Sequence, residues 1–414
     1  MIEQVATVGI RLPREQSGRF ESLMEELKRL VETAGGEVVK EFSQARPRKD
    51  PATLIGKGKI EEIQQEIAGT GIKTVVFDDD LTPAQQKNIE KMLRAKVVDR
   101  TRLILDIFAL RARSREGQLQ IELAQLNYLV PRLTGAWRGY SQQAGGIGTR
   151  GPGEKKIEVE RRYVRERIKR LKKEIEDVRQ HRERARVGRQ KVPIPQIGLV
   201  GYTNVGKSTL LNSLIGKIDE VYADDKLFAT LDPTTRRVKL PAGRTVLFTD
   251  TVGFIQKLPT ELVAAFRATL EEVAEATLLI HVVDAAAHDW VEQQKTVLEV
   301  IKTLGAENIP MITVFNKIDL VPEKLRQTLE RKDNYCISGK NGDGLAALLA
   351  AIEKKLDGGL IEVAFDLPHD KQRLLSDIYR TAHILAQKST AEGTHFRLLI
   401  DPANWKKMSH DVSE

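Results

Sequence analysis

The sequence predicts a multidomain α/β protein: an N-terminal α/β domain, a long helical hairpin, a P-loop domain with a mostly parallel sheet, and a small C-terminal α/β piece. Three observations carry that prediction. Short β-rich runs alternate with helical patterns through the N-terminal quarter, two long amphipathic stretches flank a glycine-rich segment, and a complete G-x-x-x-x-G-K-[ST] motif follows a short apolar run. At 414 residues the chain exceeds one ordinary core, and the boundaries read 1–114, 115–192, 193–358 and 359–414.

Composition narrows the class. Charged residues make up 30% and aromatics 5%, which fits a helix-rich soluble protein better than a β-sandwich or a disordered tail. Cys336 is the only cysteine, so an intramolecular disulfide and a zinc cluster are excluded and a reducing, cytoplasmic setting is expected. The opening MIEQVATVGIRLP has neither a basic leader nor an apolar stretch of signal length, and no segment approaches the roughly 20 apolar residues of a membrane span. No integral membrane association is expected, and a monomer is. A net charge of +8 favours a polyanionic partner, because clustered Lys and Arg displace phosphate counterions.

In the N-terminal domain, strands are predicted at 5–10, 37–42, 74–78 and 96–99, and helices at 15–33, 59–68, 83–93 and 101–113. The alternation implies a mostly parallel sheet. The segment PATLIGKGKIEEI sets two glycines before a helix start, where an anion could bind, but without the Walker spacing it reads as an ordinary turn.

Leu119, Leu123, Leu126 and Val130 then recur at spacings of four and three, and Ile157, Val164, Ile168, Leu171, Ile175 and Val178 repeat the scheme. Between them, PRLTGAWRGYSQQAGGIGTRGPG is too rich in glycine to continue either helix, which predicts an antiparallel hairpin with a long tip loop. The second helix is strongly basic, with Lys155, Lys156, Arg161, Arg162 and many further Lys and Arg. Residues 150–191 carry a surplus of nine positive charges, about that of the whole chain. A solvated helix laced with Glu–Arg pairs would read similarly. The surplus, joined to Trp137, Arg138, Tyr140 and Arg150 in the loop, favours RNA, since aromatic and guanidinium planes stack on unpaired bases. Prolines at 193 and 195 mark the linker into the next domain.

The short strand at 196–200 leads into Gly201, Tyr202, Thr203, Asn204, Val205, Gly206, Lys207 and Ser208, and Thr209 opens the next helix. In this strand–loop–helix context the glycines let backbone amides approach phosphate oxygens, Lys207 neutralises the β and γ phosphates, and the Ser208 hydroxyl reaches Mg²⁺. Asp250, Thr251, Val252 and Gly253 follow a predicted strand at 244–249: the carboxylate suits the outer Mg²⁺ shell and the Gly253 amide is placed to sense the γ-phosphate. A strand at 311–315 ends in Asn316, Lys317 and Asp319. The Asp319 carboxylate can accept both donors on the Watson–Crick edge of guanine, and Asn316 can meet the opposite edge. GTP rather than ATP is therefore the expected nucleotide. Ser338, Gly339 and Lys340 would add backbone contacts to the base.

The order of these segments resembles the translation-factor class of P-loop GTPases. LFATLDPTTRR at 227–237 is similar to the switch of the Obg-HflX superfamily, and GGIGTRGPGE with LAQLNYLVPRLTG closely resembles the HflX family, from about residue 5 to about residue 355. The resemblance implies a ribosome-associated GTPase that binds the large subunit, splits stalled or idle ribosomes under stress, and directs the loop toward the catalytic centre of that subunit. It implies that Phe228, Ala229 and Thr230 lie at the nucleotide and that the Thr230 hydroxyl joins Ser208 on Mg²⁺, with Thr234 and Thr235 as alternatives. Lys207, Thr230 and Gly253 would then carry catalysis. Phe254 stands where Ras-like enzymes orient water with glutamine, so intrinsic hydrolysis should be slow, and Asn204 resembles the K⁺ ligand of potassium-stimulated relatives. Two rival readings remain open: a GTP switch for a protein or membrane partner, and a second, ATP-hydrolysing site in the N-terminal domain. After residue 358 the pattern reads strand 361–366, helix 370–387, strand 394–401.

Overall fold

The computed structural model describes residues 2–13, 17–134, 152–187, 194–215, 227–228, 231–257, 272–330, 334–390, 392–400 and 402–413. Its first layer is a parallel sheet of β1 (Glu3–Arg11), β2 (Gly36–Ala45), β3 (Thr74–Phe77) and β4 (Lys96–Asp99) in the order β2-β1-β3-β4. The helices between them are α1 (Ser17–Thr33), α2 (Lys57–Ile67) and α3 (Pro83–Leu93), followed by α4 (Arg100–Arg111). Residues 5–10 of β1 are all buried, as expected of a strand covered on both faces. Val5 joins Leu27, Leu30 and Ile104 on one side, whereas Ala6, Val8 and Ile10 meet Ile60, Ile63 and Phe77 on the other.

Local chemistry sets the helix starts. Thr82 and Gln85 form a capping box ahead of α3 with Pro83 in its first turn, and the Asp99 carboxylate accepts from the Arg102 amide at 2.8 Å to cap α4. At α2, Gly56 holds the N-cap position and its amide donates to Gln44 Oε1 at 2.8 Å, whereas Gly58, expected before the helix, falls inside it.

Helices α5 (Arg115–Leu129) and α6 (Pro152–Val187) pack antiparallel, and Arg115–Glu174 and Arg167–Glu122 mark their register. Along α6, Val164, Ile168, Leu171, Ile175 and Val178 are at least partly covered, as the heptad spacing predicts. Helix α5 is buried on two sides. Beyond the Leu119 stripe it sinks Gly117, Ile121, Ala124 and Tyr128, three of which join the core shared with α4. The far end of α5 is fixed as well: Arg132 bonds Asp99 at 3.0 Å, donates to Leu81 O, and lies over the Tyr128 ring. The loop residues Trp137, Arg138, Tyr140 and Arg150 lie outside the described residues.

The third layer is a six-stranded sheet of β5 (Gln196–Gly201), β6 (Thr234–Lys239), β7 (Thr245–Asp250), β8 (Leu278–Asp284), β9 (Met311–Asn316) and β10 (Tyr335–Cys336), ordered β10-β9-β8-β5-β7-β6. Only β6 runs antiparallel to its neighbour. Among the described residues its helices include α7 (Lys207–Ile215), α8 (Trp290–Thr303), α9 (Glu323–Leu329) and α10 (Leu345–Asp357). The predicted loops at 201–208, 250–253, 316–319 and 338–340 follow the carboxyl ends of β5, β7, β9 and β10, where open parallel sheets bind ligands.

The C-terminal piece corrects the sequence reading. Instead of one helix over 370–387, the chain forms a short turn of helix, α11 (Leu375–Thr381), and then β12 (Ala382–Ser389). That strand pairs with β13 (Gly393–Ile400), which also pairs with β11 (Ile361–Pro368), and α12 (Pro402–Ser413) closes the chain. The helix-forming residues of 382–389 are overridden by cross-strand pairing, helped by a tight turn in which the Thr390 amide donates to Gly393 O at 2.8 Å. Among the described residues no helix is long and apolar enough to cross a membrane.

Candidate nucleotide site and its contacts with the N-terminal domain

The loop from β5 to α7 folds as its glycines require. Gly206 has φ +90°, and a Cβ there would lie 2.4 Å from Asn316 Nδ2, so both backbone conformation and space exclude a side chain. Lys207 is buried, its Nζ donating to Gly201 O at 3.2 Å and Tyr202 O at 2.8 Å. Burial pulls its ammonium down to about 8, opposed by the nearby Asp250 charge. The Ser208 hydroxyl meets Asp250 Oδ2 at 2.6 Å, joining the start of α7 to the end of β7.

The segment after Asp250 is stitched to the loop. Phe254 N donates to Gly201 O at 3.1 Å and Thr203 N to Phe254 O at 2.8 Å, and the Thr251 hydroxyl donates to Leu199 O at 2.6 Å. Gly253 fits against this seam because a Cβ would come within 2.7 Å of Thr203 Cα. Val252 and the Phe254 ring are buried.

At the end of β9, Asn316 works inside the protein: Nδ2 donates to Val205 O and Oδ1 accepts from Gly339 N, each at 2.8 Å. It thereby ties the phosphate loop to the base loop, and its amide keeps one hydrogen and one lone pair for a ligand. Lys317, at φ +62°, pairs with Asp284 at 2.8 Å. Asp319 is exposed and takes the Ser338 hydroxyl on Oδ1 at 2.7 Å. Lys340 is exposed beside buried Ser338 and Gly339.

Around the switch, Ala229 and Thr230 lie outside the described residues. The Phe228 ring packs edge-on against Phe108 of α4 at 4.5 Å. Of the alternatives, Thr235 is engaged across the strand pair with the Thr249 hydroxyl at 3.0 Å, and Thr234 lies opposite Asp250. On α6, Arg162 is exposed and Arg161 half-buried; Lys155 and Lys156 fall within the helix with side chains outside the described residues.

Sequence reasoning missed the polar network behind the phosphate loop. The Tyr202 hydroxyl donates to Glu26 of α1 and accepts from Gln256 N at 2.7 Å. Arg100, 1% exposed, pairs with Glu26 and with Asp78 at 2.6 Å and donates to Gln256 O at 3.1 Å. Lys257 bridges Asp78 at 2.5 Å and Asp79 at 3.1 Å, and Lys49 reaches Asp79 at 2.9 Å. Burial raises the Glu26 carboxyl against the pull of Arg100, whereas Lys257 and Lys49 outweigh burial and hold Asp79 below the usual carboxylate range. The Asp78 and Asp79 carboxylates that follow β3 are thus engaged by Lys257 from the P-loop domain together with Lys49 and Arg100 of the N-terminal domain. The only sequence signal was charge in apolar company, the Asp78–Asp79–Asp80 run and Arg100 ahead of LILDIF.

Four family descriptions match in order along the chain: "GTP-binding GTPase N-terminal" over residues 21–109, "GTP-binding GTPase Middle Region" over 111–189, "50S ribosome-binding GTPase" over 196–317 and "HflX C-terminal domain" over 324–401. The protein described as GTPase HflX of Caldanaerobacter subterraneus subsp. tengcongensis is 50% identical over 85% of this chain and 81% of its own length. GTPase HflX of Alkalihalophilus pseudofirmus is 46% identical over 91% of this chain and 88% of its own. A solved structure titled "crystal structure of SsGBP and GDP complex" is 26% identical, with a TM-score of 0.50 over 86% of this chain and 99% of that one.

Proposed function

Since the chain belongs to the HflX family of GTPases, we propose that it engages the large ribosomal subunit, uses GTP to time that engagement, and separates stalled or idle ribosomes under stress. Hydrolysis of GTP to GDP and phosphate comes with the family. The observation that carries the ribosomal reading is the exposed basic arc of α6, including Arg162, Arg165, Lys169, Arg170, Lys172 and Lys173. Such an arc gains affinity for RNA by releasing phosphate counterions, and the matched domain's description names the 50S particle.

Within the site, the amides of residues 201–208 would cradle the phosphates, Lys207 would neutralise them, and Asp319 with Asn316 would read guanine. The Ser208 hydroxyl is a hard oxygen donor that fits Mg²⁺, with the Asp250 carboxylate 2.6 Å from it suited to the outer shell and Thr230 as the expected further ligand. When bound, the ion offsets charge on the β and γ phosphates. By the family resemblance, Asn204 would hold K⁺ as a second cation. Phe254 offers no polar atom to orient water, so fast turnover is expected only on the ribosome.

The test is pelleting with separated ribosomal subunits in GTP, GDP and a non-hydrolysable analogue. Binding should favour the large subunit and the analogue. Recovery with floated membranes and with neither subunit would favour a membrane partner instead.

A further inference from the structure

The residues flanking positions 229 and 230 are held from outside the P-loop domain. On one side, Leu227 N donates to Thr33 Oγ1 at 3.3 Å, and Phe228, at φ +56°, seats its ring on Phe108. On the other, the Asp232 carboxylate accepts from the backbone amides of Arg113 and Ser114, each at 2.8 Å, and from the Ser114 hydroxyl. Ser114 is itself the N-cap of α5, its Oγ accepting from Gly117 N at 3.0 Å. A helix start leaves amides unsatisfied and carries partial positive charge, so a carboxylate arriving from a distant part of the chain is well matched to it. The fit is close: a Cβ on Gly117 would lie 2.8 Å from Asp232 Oδ1.

We infer that Asp232 is a positioning residue for GTP turnover, tying the switch segment to the N-cap of hairpin helix α5. This rests on reading residues 227–232 as the segment that the γ-phosphate orders. Asp232 lies just before β6, which pairs along β7 up to Asp250, so rearrangement of the segment moves or breaks the cap. A contact that differs between nucleotide states couples its two ends reciprocally, so displacement of α5 by a bound partner also changes the rate at the nucleotide.

The full chain is compared in GDP and in a non-hydrolysable GTP analogue by hydrogen exchange of peptides spanning 110–120 and 227–240, with nucleotide affinities and turnover measured alongside. In the unaltered chain both peptides should change between nucleotides. In Asp232→Ala the Arg113 and Ser114 amides should exchange roughly five- to tenfold faster in both states, the nucleotide dependence of that peptide should vanish, and turnover should shift while GDP affinity stays within about twofold. Gly117→Ala, which keeps the carboxylate but crowds it, should lose the same nucleotide dependence although alanine ordinarily favours a helix, and it carries the test if Asp232→Ala does not fold. A 227–240 peptide that responds while 110–120 does not overturns the coupling and leaves the switch assignment standing. Silence in both overturns the two together. Persistence of the 110–120 response in the variants also overturns the coupling.

Discussion

Asp319 has one oxygen engaged by Ser338 and stands exposed, which is how a carboxylate waiting for a donor pair should look. Asp319→Asn should weaken GTP roughly a hundredfold while admitting xanthine nucleotides, because the amide reverses the donor requirement. Calorimetry showing equal tightness for ATP and GTP in the unaltered chain would remove the base-reading assignment. His281 on β8 gives a pH effect. It is 1% exposed, and burial together with the Lys207 charge pulls its imidazole down from 6.5 to about 4. Neutral when folded and protonated when unfolded, it makes the unfolded state bind the extra proton, so stability falls as pH drops from 6.5 towards 4. Over that window the urea midpoint of His281→Gln should fall less than that of the unaltered chain; equal slopes would show that the imidazole titrates normally. Motif residues were legible because phosphate and guanine chemistry fixes their types and spacing. The partners of Asn316, Val205 O and Gly339 N, were not, since a backbone acceptor or donor leaves no mark on residue identity.

Among the elements, the N-terminal strands and helices were legible from their alternation, and the caps found at Thr82 and Asp99 act in the same sense. β12 was not, because only its pairing with β13 decides against a helix. The second face of α5 was hidden for a related reason: its inner residues include Gly117, Ala124 and Tyr128, which no apolar periodicity singles out. Replacing residues 137–153 by a short Gly-Ser turn should leave GTP affinity nearly unchanged, because α5 is anchored through Arg132 before that segment begins. It should abolish ribosome splitting by light scattering, and residual pelleting should weaken steeply with salt as phosphate contacts are screened. Splitting at the normal rate would reduce the segment to a connector.

Across the whole molecule, the order of the domains was legible but their junction was not. The Glu26–Arg100–Asp78–Lys257 network draws on α1, β3, α4 and the segment after Gly253, and nothing in one sequence pairs residues so far apart. Removing one member leaves buried charge uncompensated, so Arg100→Ala should cost about 3–5 kcal/mol in urea unfolding. Loss of the exposed Arg397–Glu362 pair should scarcely register. Comparable midpoints for the two variants would mean that the junction is solvated.

The antiparallel register of the hairpin also fixes a mechanical gain. Arg115, beside the Asp232 cap, meets α6 at Glu174, and from there back to Pro152 the helix rises roughly 33 Å at ~1.5 Å per residue. A swing of about ten degrees at that level carries the far end about 6 Å. A displacement too small to disturb packing at the fulcrum is thus enlarged to more than the width of a base stack, and a push on the far end returns to the nucleotide with correspondingly greater force.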